Sequence, residues 1–195
     1  TANAILIRGD GGIGKSCIPY ELAKMGNMPV VEERIAYKDI GDFTGLPFRT
    51  YVKNKDGVQT EVTKFLIPEL IQKLQEQPCY LFFDELNRGT TGVMNQIFEL
   101  VLDRRICGVA IHPDTKIIAA INYDSGMSLV NPIPEQLRNR FWIVDLKPDF
   151  ESWTQWANRI ESNIPSFVVA YLRYSGQIHF NTTPTHDEEI FPTPR

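Results

Sequence analysis

Runs of apolar residues alternate with segments of helical periodicity along most of the chain. The apolar runs are typical of buried strands and comprise AILIR (4–8), MPVVEERIA (28–36), CYLFFDE (79–85), KIIAAIN (116–122) and FWIVDL (141–146). Helical spacing of apolar residues predicts helices over residues 15–25, 67–77, 90–105 and 134–140. Because nearly continuous apolar strands alternate with helices, the pattern predicts an α/β fold with a parallel sheet covered on both faces.

Two further segments depart from this alternation. Residues 48–65 alternate apolar and polar side chains around Asn54-Lys55-Asp56-Gly57, a good turn sequence, and therefore predict a β-hairpin. Near residue 148 the composition changes: residues 151–160 and 166–176 have helical patterns, and a Pro- and Thr-rich stretch follows. We therefore expect an α/β core over residues 1–147 and the start of a small helical lid over 148–195, which we expect to be truncated.

Composition narrows the class of protein. The chain is 43% hydrophobic and 23% charged, as in ordinary soluble globular proteins. No apolar run reaches the ~20 residues that cross a bilayer, so no membrane association is expected. The net charge of −4 argues against a broadly basic nucleic-acid surface and leaves a local basic groove open. The three cysteines, Cys17, Cys79 and Cys107, are odd in number and far apart in the sequence. We therefore expect small buried thiols in a reduced, cytoplasmic protein rather than disulfides or a zinc site.

The segment GDGGIGKS, residues 9–16, fits the pattern G-x-x-x-x-G-K-[ST] between a predicted strand and a predicted helix. Its glycines let the backbone form a concave nest of N–H groups, and the helix N-terminus adds partial positive charge. Lys15 can reach the outer phosphates of a nucleoside triphosphate, and the Ser16 hydroxyl can ligate Mg²⁺. The predicted phosphate-binding positions are Gly9, Asp10, Gly11, Gly12, Ile13, Gly14, Lys15, Ser16 and Cys17.

Acidic residues end the strand CYLFF, at the sheet edge where parallel α/β proteins bind ligands. Asp84 is expected to hold Mg²⁺, and Glu85 to orient and deprotonate an attacking water. A base beside the metal carboxylate favours hydrolysis over transfer to an acceptor. Asn122 ends the next apolar strand and could help to position the water. The alternative is that Asp84 and Glu85 cap a solvated strand end and that Asn122 only forms a turn.

Two arginines, Arg138 and Arg140, follow in PEQLRNR. A single lysine cannot neutralise the charge that develops on a transferred phosphoryl group, and an arginine finger is worth about 10³–10⁵ in rate. The alternative is that both arginines lie on a solvated helix.

In their order and approximate spacing, the segments GDGGIGKS, LFFDELNRG, IIAAIN and NPIPEQLRNRF resemble the AAA+ ATPases, and most closely the MoxR branch. LFFDELNRG is similar to that branch's DEINRA signature, with Leu86 and Gly89 replacing Ile and Ala. DIGDFTGLPF resembles the segment before the helix-2 insert, which places the hairpin at 48–65 where the insert belongs. RRICGVAIHPDTK would form a second hairpin. The likeness covers residues 4–146, and a W..WA pattern at 153–157 resembles phage-encoded MoxR-like proteins.

The resemblance implies roles for residues of this chain. Lys15 and Ser16 would belong to Walker A, Asp84 and Glu85 to Walker B, and Asn122 would be sensor 1. Arg140, directly before Phe141, would be the finger that acts on a neighbouring subunit, with Arg138 as the alternate. FPTPR, residues 191–195, is similar to the motif that opens the sensor 2 helix, which would make Arg195 a contact to the γ-phosphate.

These roles together imply an ATP- and Mg²⁺-dependent homo-oligomeric ring, a hexamer by the same resemblance, that remodels a protein client gripped by the inserted hairpins. For a phage-encoded protein the location would be the host cytoplasm. Two other functions stay open. One is a monomeric small-molecule or nucleotide kinase whose lid is residues 148–195, and the other is a nucleotide-gated scaffold with little turnover.

Overall fold

A computed structural model describes residues 4–123, 131–159, 162–175, 180 and 193–194. Five strands form a parallel sheet: β1 (Ala4–Gly9), β2 (Val30–Arg34), β5 (Tyr80–Asp84), β8 (Lys116–Asn122) and β9 (Trp142–Asp145). The strands β3 (Pro47–Lys53), β4 (Gln59–Phe65), β6 (Arg105–Ile106) and β7 (Val109–Ala110) form two separate hairpins. The helices are α1 (Ile18–Gly26), α2 (Ile40–Thr44), α3 (Glu69–Glu76), α4 (Thr91–Asp103), α5 (Glu135–Arg138), α6 (Phe150–Ala157) and α7 (Ser166–Tyr174).

The strand order of the main sheet is β2-β5-β8-β1-β9, so β8 separates the strand of the glycine-rich loop from the acidic strand. In the parallel register Gly9 lies beside Asn122, and Arg34 lies beside Asp84. The carboxyl ends of β1, β5 and β8 therefore meet at one edge of the sheet. This edge positions every strand-end residue that the sequence predicts to be functional.

Helices cover both faces of this sheet, as the apolar pattern predicts. On one face α2, α3, α4 and α5 bury a large apolar cluster against β1, β5 and β8; its helical members include Phe43, Ile71, Leu74, Met94, Ile97 and Leu137. On the other face α1 packs Ile18 and Leu22 against a smaller set of strand residues, Ile7, Phe82, Ile118 and Ala120. The predicted α/β fold is confirmed.

Helix ends differ from the predicted ranges for local reasons. The helix predicted from residue 15 begins with a 3-10 turn, Lys15–Cys17, and Pro19 lies in the first turn of α1, where its missing N–H costs nothing. Thr90 caps α4 by accepting a hydrogen bond from the Val93 backbone N–H at 3.3 Å. The helix predicted over 134–140 is only one turn long, and Arg140 lies beyond its end.

The predicted hairpin at 48–65 is present as β3 and β4. The Asn54 side chain accepts hydrogen bonds from the backbone N–H groups of Asp56 and Val58 and so closes the turn. The second hairpin has strands of two residues each, with Cys107 and Gly108 both at positive φ in its turn. The expectation of buried cysteines is wrong for Cys17 and Cys107, which are exposed, and holds for Cys79.

The C-terminal helices pack on each other through aromatic residues. Phe150 of α6 and Leu172 of α7 are buried together with Phe180. Trp153 Nε1 donates a hydrogen bond to the Pro194 carbonyl at 2.9 Å and anchors the 193–194 segment to α6. Among the described residues, no helix has the length and apolar character needed to span a bilayer.

Candidate functional site

The glycine-rich loop leaves the end of β1 and turns sharply into the 3-10 turn at Lys15. Gly12 and Gly14 have φ values of 77° and 88°, in the region that side chains with a Cβ rarely adopt. This backbone path carries Lys15 back under the loop and places Ser16 at the start of the helical segment. The Cys17 N–H already donates to the Gly14 carbonyl at 3.0 Å, so in this structure that amide closes the 3-10 turn.

Lys15 is a buried cation, with 7% of its surface exposed. Its Nζ donates to the Gly9 carbonyl at 3.0 Å, to the Asp10 carbonyl, and to Asn122 Oδ1 at 2.7 Å. All three acceptors are neutral, and Lys15 belongs to none of the ion pairs among the described residues. Burial lowers the pKa of Lys15 from its ordinary 10.5, and the nearby charges of Asp84, Asp10 and Glu85 oppose that shift. A buried ammonium without an anion in contact fits a negatively charged ligand.

Ser16 and Asp84 come together from opposite sides of β8. The Ser16 hydroxyl donates a hydrogen bond to Asp84 Oδ2 at 3.1 Å, so the loop and the acidic strand meet at this edge of the sheet. A hydroxyl and a carboxylate are hard oxygen donors of the kind that Mg²⁺ binds. The predicted pair of metal ligands is therefore brought within direct contact, and its chemistry fits the ion.

Glu85 has an unusual backbone for a residue with a side chain. Its φ of 53° and ψ of 43° lie in the left-handed region, and its N–H donates to Asp84 Oδ1 at 3.0 Å. Such conformations are sparsely populated and often mark functional positions. The half-buried Glu85 carboxylate lies 3.5 Å from Nη1 of exposed Arg88. Glu85 therefore leaves the strand in a different direction from Asp84 and stays accessible to water.

Asn122 lies between the loop and the acidic strand. Its side-chain oxygen accepts from Lys15, and its backbone carbonyl accepts a hydrogen bond from Asn87 Nδ2 at 3.1 Å. Asn131 supports the same region, because its Nδ2 donates to the Gly89 carbonyl at 2.9 Å. The sequence patterns gave no role to Asn87 or Asn131. The available signal is the likeness of LFFDELNRG to the DEINRA signature, whose Asn position Asn87 occupies, directly after a strand ending in two acids.

The two candidate finger arginines are not bonded to the described residues of this sheet edge. Arg138 ends α5 and Arg140 follows it, and both side chains are exposed. Among the described residues, neither side chain has an ion pair or a hydrogen bond. The structure thus brings together the loop, Asp84 and Asn122, and it bonds neither Arg138 nor Arg140 to them.

Arg195 lies outside the described residues, but its two predecessors are described. A methyl group added at Gly12 would lie only 2.6 Å from the Thr193 hydroxyl oxygen, so the Thr193 side chain rests directly on the glycine-rich loop. Trp153 holds the next residue, Pro194, through its carbonyl. The segment that precedes Arg195 is therefore adjacent to the loop.

Comparison with solved structures identifies the architecture. A proline-to-glycine variant of RuvB from Thermotoga maritima is 18% identical with a TM-score of 0.56, over 80% of this chain and 42% of that one. A candidate ATPase from Cytophaga hutchinsonii is 19% identical with a TM-score of 0.57, over 84% of this chain and 48% of that one. The fold is that of the AAA+ P-loop ATPases.

This AAA+ likeness is one of fold, because no protein-family model and no curated protein matches the sequence. The chain spans less than half the length of both solved structures. Within the AAA+ fold, the carboxyl edge of the sheet brings together a glycine-rich loop, a buried lysine, a hydroxyl–carboxylate pair and an accessible carboxylate. Such a set can bind a triphosphate with a divalent cation and activate water.

Proposed function

We propose that this chain binds ATP with Mg²⁺ and hydrolyses it. The observation that carries the proposal is the buried Lys15 ammonium, which, among the described residues, donates only to neutral oxygens beside a glycine-rich loop. A buried cation is stabilised when an anion supplies the missing charge, and a triphosphate does so at this position. The choice of ATP rather than another triphosphate rests on the AAA+ fold and the resemblance to the MoxR branch.

Each residue then has a defined task. Lys15 and the loop N–H groups bind the outer phosphates, while Ser16 and Asp84 hold Mg²⁺, which supplies charge neutralisation on the phosphate oxygens when bound. Glu85 takes a proton from water, and the Asn122 amide holds that water in line. Glu85 follows Asp84 directly and is accessible, which favours hydrolysis over transfer to a bound acceptor.

A closed homo-oligomeric ring completes the proposal. Arg138 and Arg140 are exposed and, among the described residues, form no hydrogen bond or ion pair with Lys15, Ser16 or Asp84, so we assign the finger in trans, with Arg140 as the first candidate. A residue that acts only on a neighbouring subunit requires a head-to-tail oligomer, and a closed ring is the form in which every site receives such a residue. By resemblance the ring is a hexamer of the MoxR branch, acting in the cytoplasm (the host cytoplasm if phage-encoded) on a protein client. Arg195 would contact the γ-phosphate, which the position of Thr193 on the loop supports.

The finger assignment is tested by replacing each arginine. Arg140→Ala is expected to lower turnover by about 10³–10⁵-fold, as for other arginine fingers, while nucleotide affinity changes little. Arg138→Ala tests the alternate candidate, and the arginine whose loss lowers turnover more is the finger. Mixing Arg140→Ala with Glu85→Gln protein should restore part of the activity, because some interfaces then combine an intact base with an intact finger.

Mass photometry with and without ATP tests the ring itself. Nucleotide-dependent assembly to a discrete oligomer is the expected result. Full turnover by Arg140→Ala, or turnover by a species that stays monomeric at all concentrations, would contradict the trans assignment. Acceptor-dependent loss of the γ-phosphate without release of free phosphate would instead indicate a kinase.

A further inference from the structure

Three asparagines connect the predicted catalytic residues to the arginine segment. Asn87 Nδ2 donates to the Asn122 carbonyl at 3.1 Å, and the Asn87 carbonyl accepts from the Asn131 N–H at 2.6 Å. Asn131 Nδ2 holds the Gly89 carbonyl of the same turn at 2.9 Å. Residue 131 is four positions before Glu135, where α5 begins. The turn after Glu85 is therefore bonded both to the end of β8 and to the start of the segment that carries Arg138 and Arg140.

The local chain path places Asn87 in this position. The left-handed backbone at Glu85 reverses the chain into a 3-10 turn, Leu86–Arg88, whose first residue is fully buried. Asn87 follows it inward and is only 5% exposed, whereas Arg88 points to solvent. An amide side chain is thus buried directly between the turn that holds the base and the strand that ends in Asn122.

The Asn87 amide is a poor choice for stability alone. Its Oδ1 is buried and has no hydrogen-bond partner among the described residues. A buried acceptor without a partner is costly, and an apolar side chain of similar size avoids that cost. The one bond that the amide does make, to the Asn122 carbonyl, is the feature that an apolar residue would lose.

We propose that Asn87 is a positioning residue, which fixes the Asn122 amide relative to the Glu85 carboxylate and links both to the arginine segment. Asn122 is the centre of this arrangement, because its side chain accepts from Lys15 while its backbone carbonyl accepts from Asn87. A shift of the end of β8 would therefore move the water-holding amide and the Lys15 acceptor together. The proposal rests on the proposed hydrolysis, and its test has one arm that does not need turnover.

Asn87→Leu is the decisive substitution, because leucine fills a similar volume and removes both polar groups. Turnover should fall by about 10- to 100-fold, the loss expected when reacting groups are misplaced by a fraction of an ångström, while nucleotide Kd changes little. Asn95→Leu, the same change at an exposed position of α4, should leave turnover and Kd as in the parent. Turnover and Kd of Asn87→Ala are measured beside those of Asn87→Leu, because alanine adds no volume and keeps the test valid if the leucine variant does not fold. Parental turnover in a folded Asn87 variant would overturn the proposal.

A double substitution separates positioning from a general structural effect. If Asn87 acts through Asn122, the pair Asn87→Leu and Asn122→Ala should turn over no more slowly than Asn122→Ala alone. Losses that multiply would show that the two residues act independently and would overturn the proposal. A purely structural role would also lower the melting temperature and raise Kd, which positioning does not require.

Amide hydrogen exchange is the arm that needs no turnover. In the parent, the magnesium complex of a non-hydrolysable ATP analogue should increase protection of residues 86–89 and 121–122 together. In Asn87→Leu, protection should rise at 121–122 alone, because the bond between the two segments is lost. Equal coupled protection in parent and variant would overturn the proposal. If the parent hydrolyses no ATP, the proposed function fails, and this measurement still decides the role of Asn87.

Discussion

The carboxyl edge of the main sheet and the β3–β4 hairpin differ in how far their side chains are buried and bonded to other elements. At the edge, Lys15 is buried and bonds to Asn122, and Ser16 bonds to Asp84, so these side chains join different elements. In the hairpin, nearly every side chain of both strands is exposed, including Tyr51 and Lys53. A substitution at the edge therefore disturbs several elements, whereas one in the hairpin disturbs its own surroundings.

The hairpin is also weakly tied to the rest of the protein. Its two strands pair with each other in register from Pro47 and Phe65 to Lys53 and Gln59, and no other described strand joins them. At its base the Leu66 N–H donates to the Leu46 carbonyl at 2.9 Å. An isolated two-stranded hairpin has little stability of its own. Its exposed surface fits a contact with another molecule better than a role in the core.

The largest expected difference between the two regions is the loss of turnover when a glutamate is replaced by glutamine. Glu85→Gln removes the proposed base and should lower turnover by about 10²–10⁴-fold, the usual contribution of a general base, with nucleotide Kd nearly unchanged. Glu61→Gln is the same change in the hairpin, where Glu61 pairs with exposed Arg49 at 3.6 Å, and turnover should stay as in the parent. Steady-state phosphate release measures both. Similar turnover in the two variants would remove Glu85 from the mechanism.

The next difference concerns stability. Phe82 of β5 is fully buried beneath α1, and Phe82→Ala should lower the free energy of unfolding by about 3–5 kcal/mol. Phe65 in the hairpin is 53% exposed, so Phe65→Ala should cost about 1 kcal/mol or less. Urea unfolding followed by circular dichroism gives both values. Equal losses would mean that the hairpin belongs to the cooperative core.

Most of the edge could be predicted from sequence because its signals are local. The glycine pattern locates the loop, and the apolar runs locate β1, β5 and β8. Parallel strands bring their carboxyl ends together, so the meeting of Lys15, Asp84 and Asn122 follows from the fold class. The hairpin was equally predictable, since its alternation and its Asn54 turn lie within one short segment.

Features that depend on chain path or distant packing were not predictable. The left-handed backbone of Glu85 and the inward direction of Asn87 arise in a turn that has no periodicity. The helix predicted to Arg140 ends at Arg138, and Phe141, three residues after this end, is 7% exposed and packs in the core. The contact of Thr193 with Gly12 joins segments far apart in the chain.

The smallest of the three expected differences is in nucleotide affinity when a lysine is replaced, and it is the most direct test of the site. Lys15→Met keeps the buried stem but removes the charge, and a hydrogen bond to a charged partner contributes about 1.5–3 kcal/mol. Loss of such bonds should weaken binding of Mg²⁺-ATP by about 100-fold, since each 1.4 kcal/mol is tenfold. Lys53→Met removes an exposed lysine from the hairpin and should leave Kd within about twofold, because exposed charges are screened by water and salt. Titration with a fluorescent ATP analogue measures both constants. Equal Kd values for the two variants would mean that the buried ammonium does not bind the phosphates, and the proposed nucleotide site would have to be abandoned.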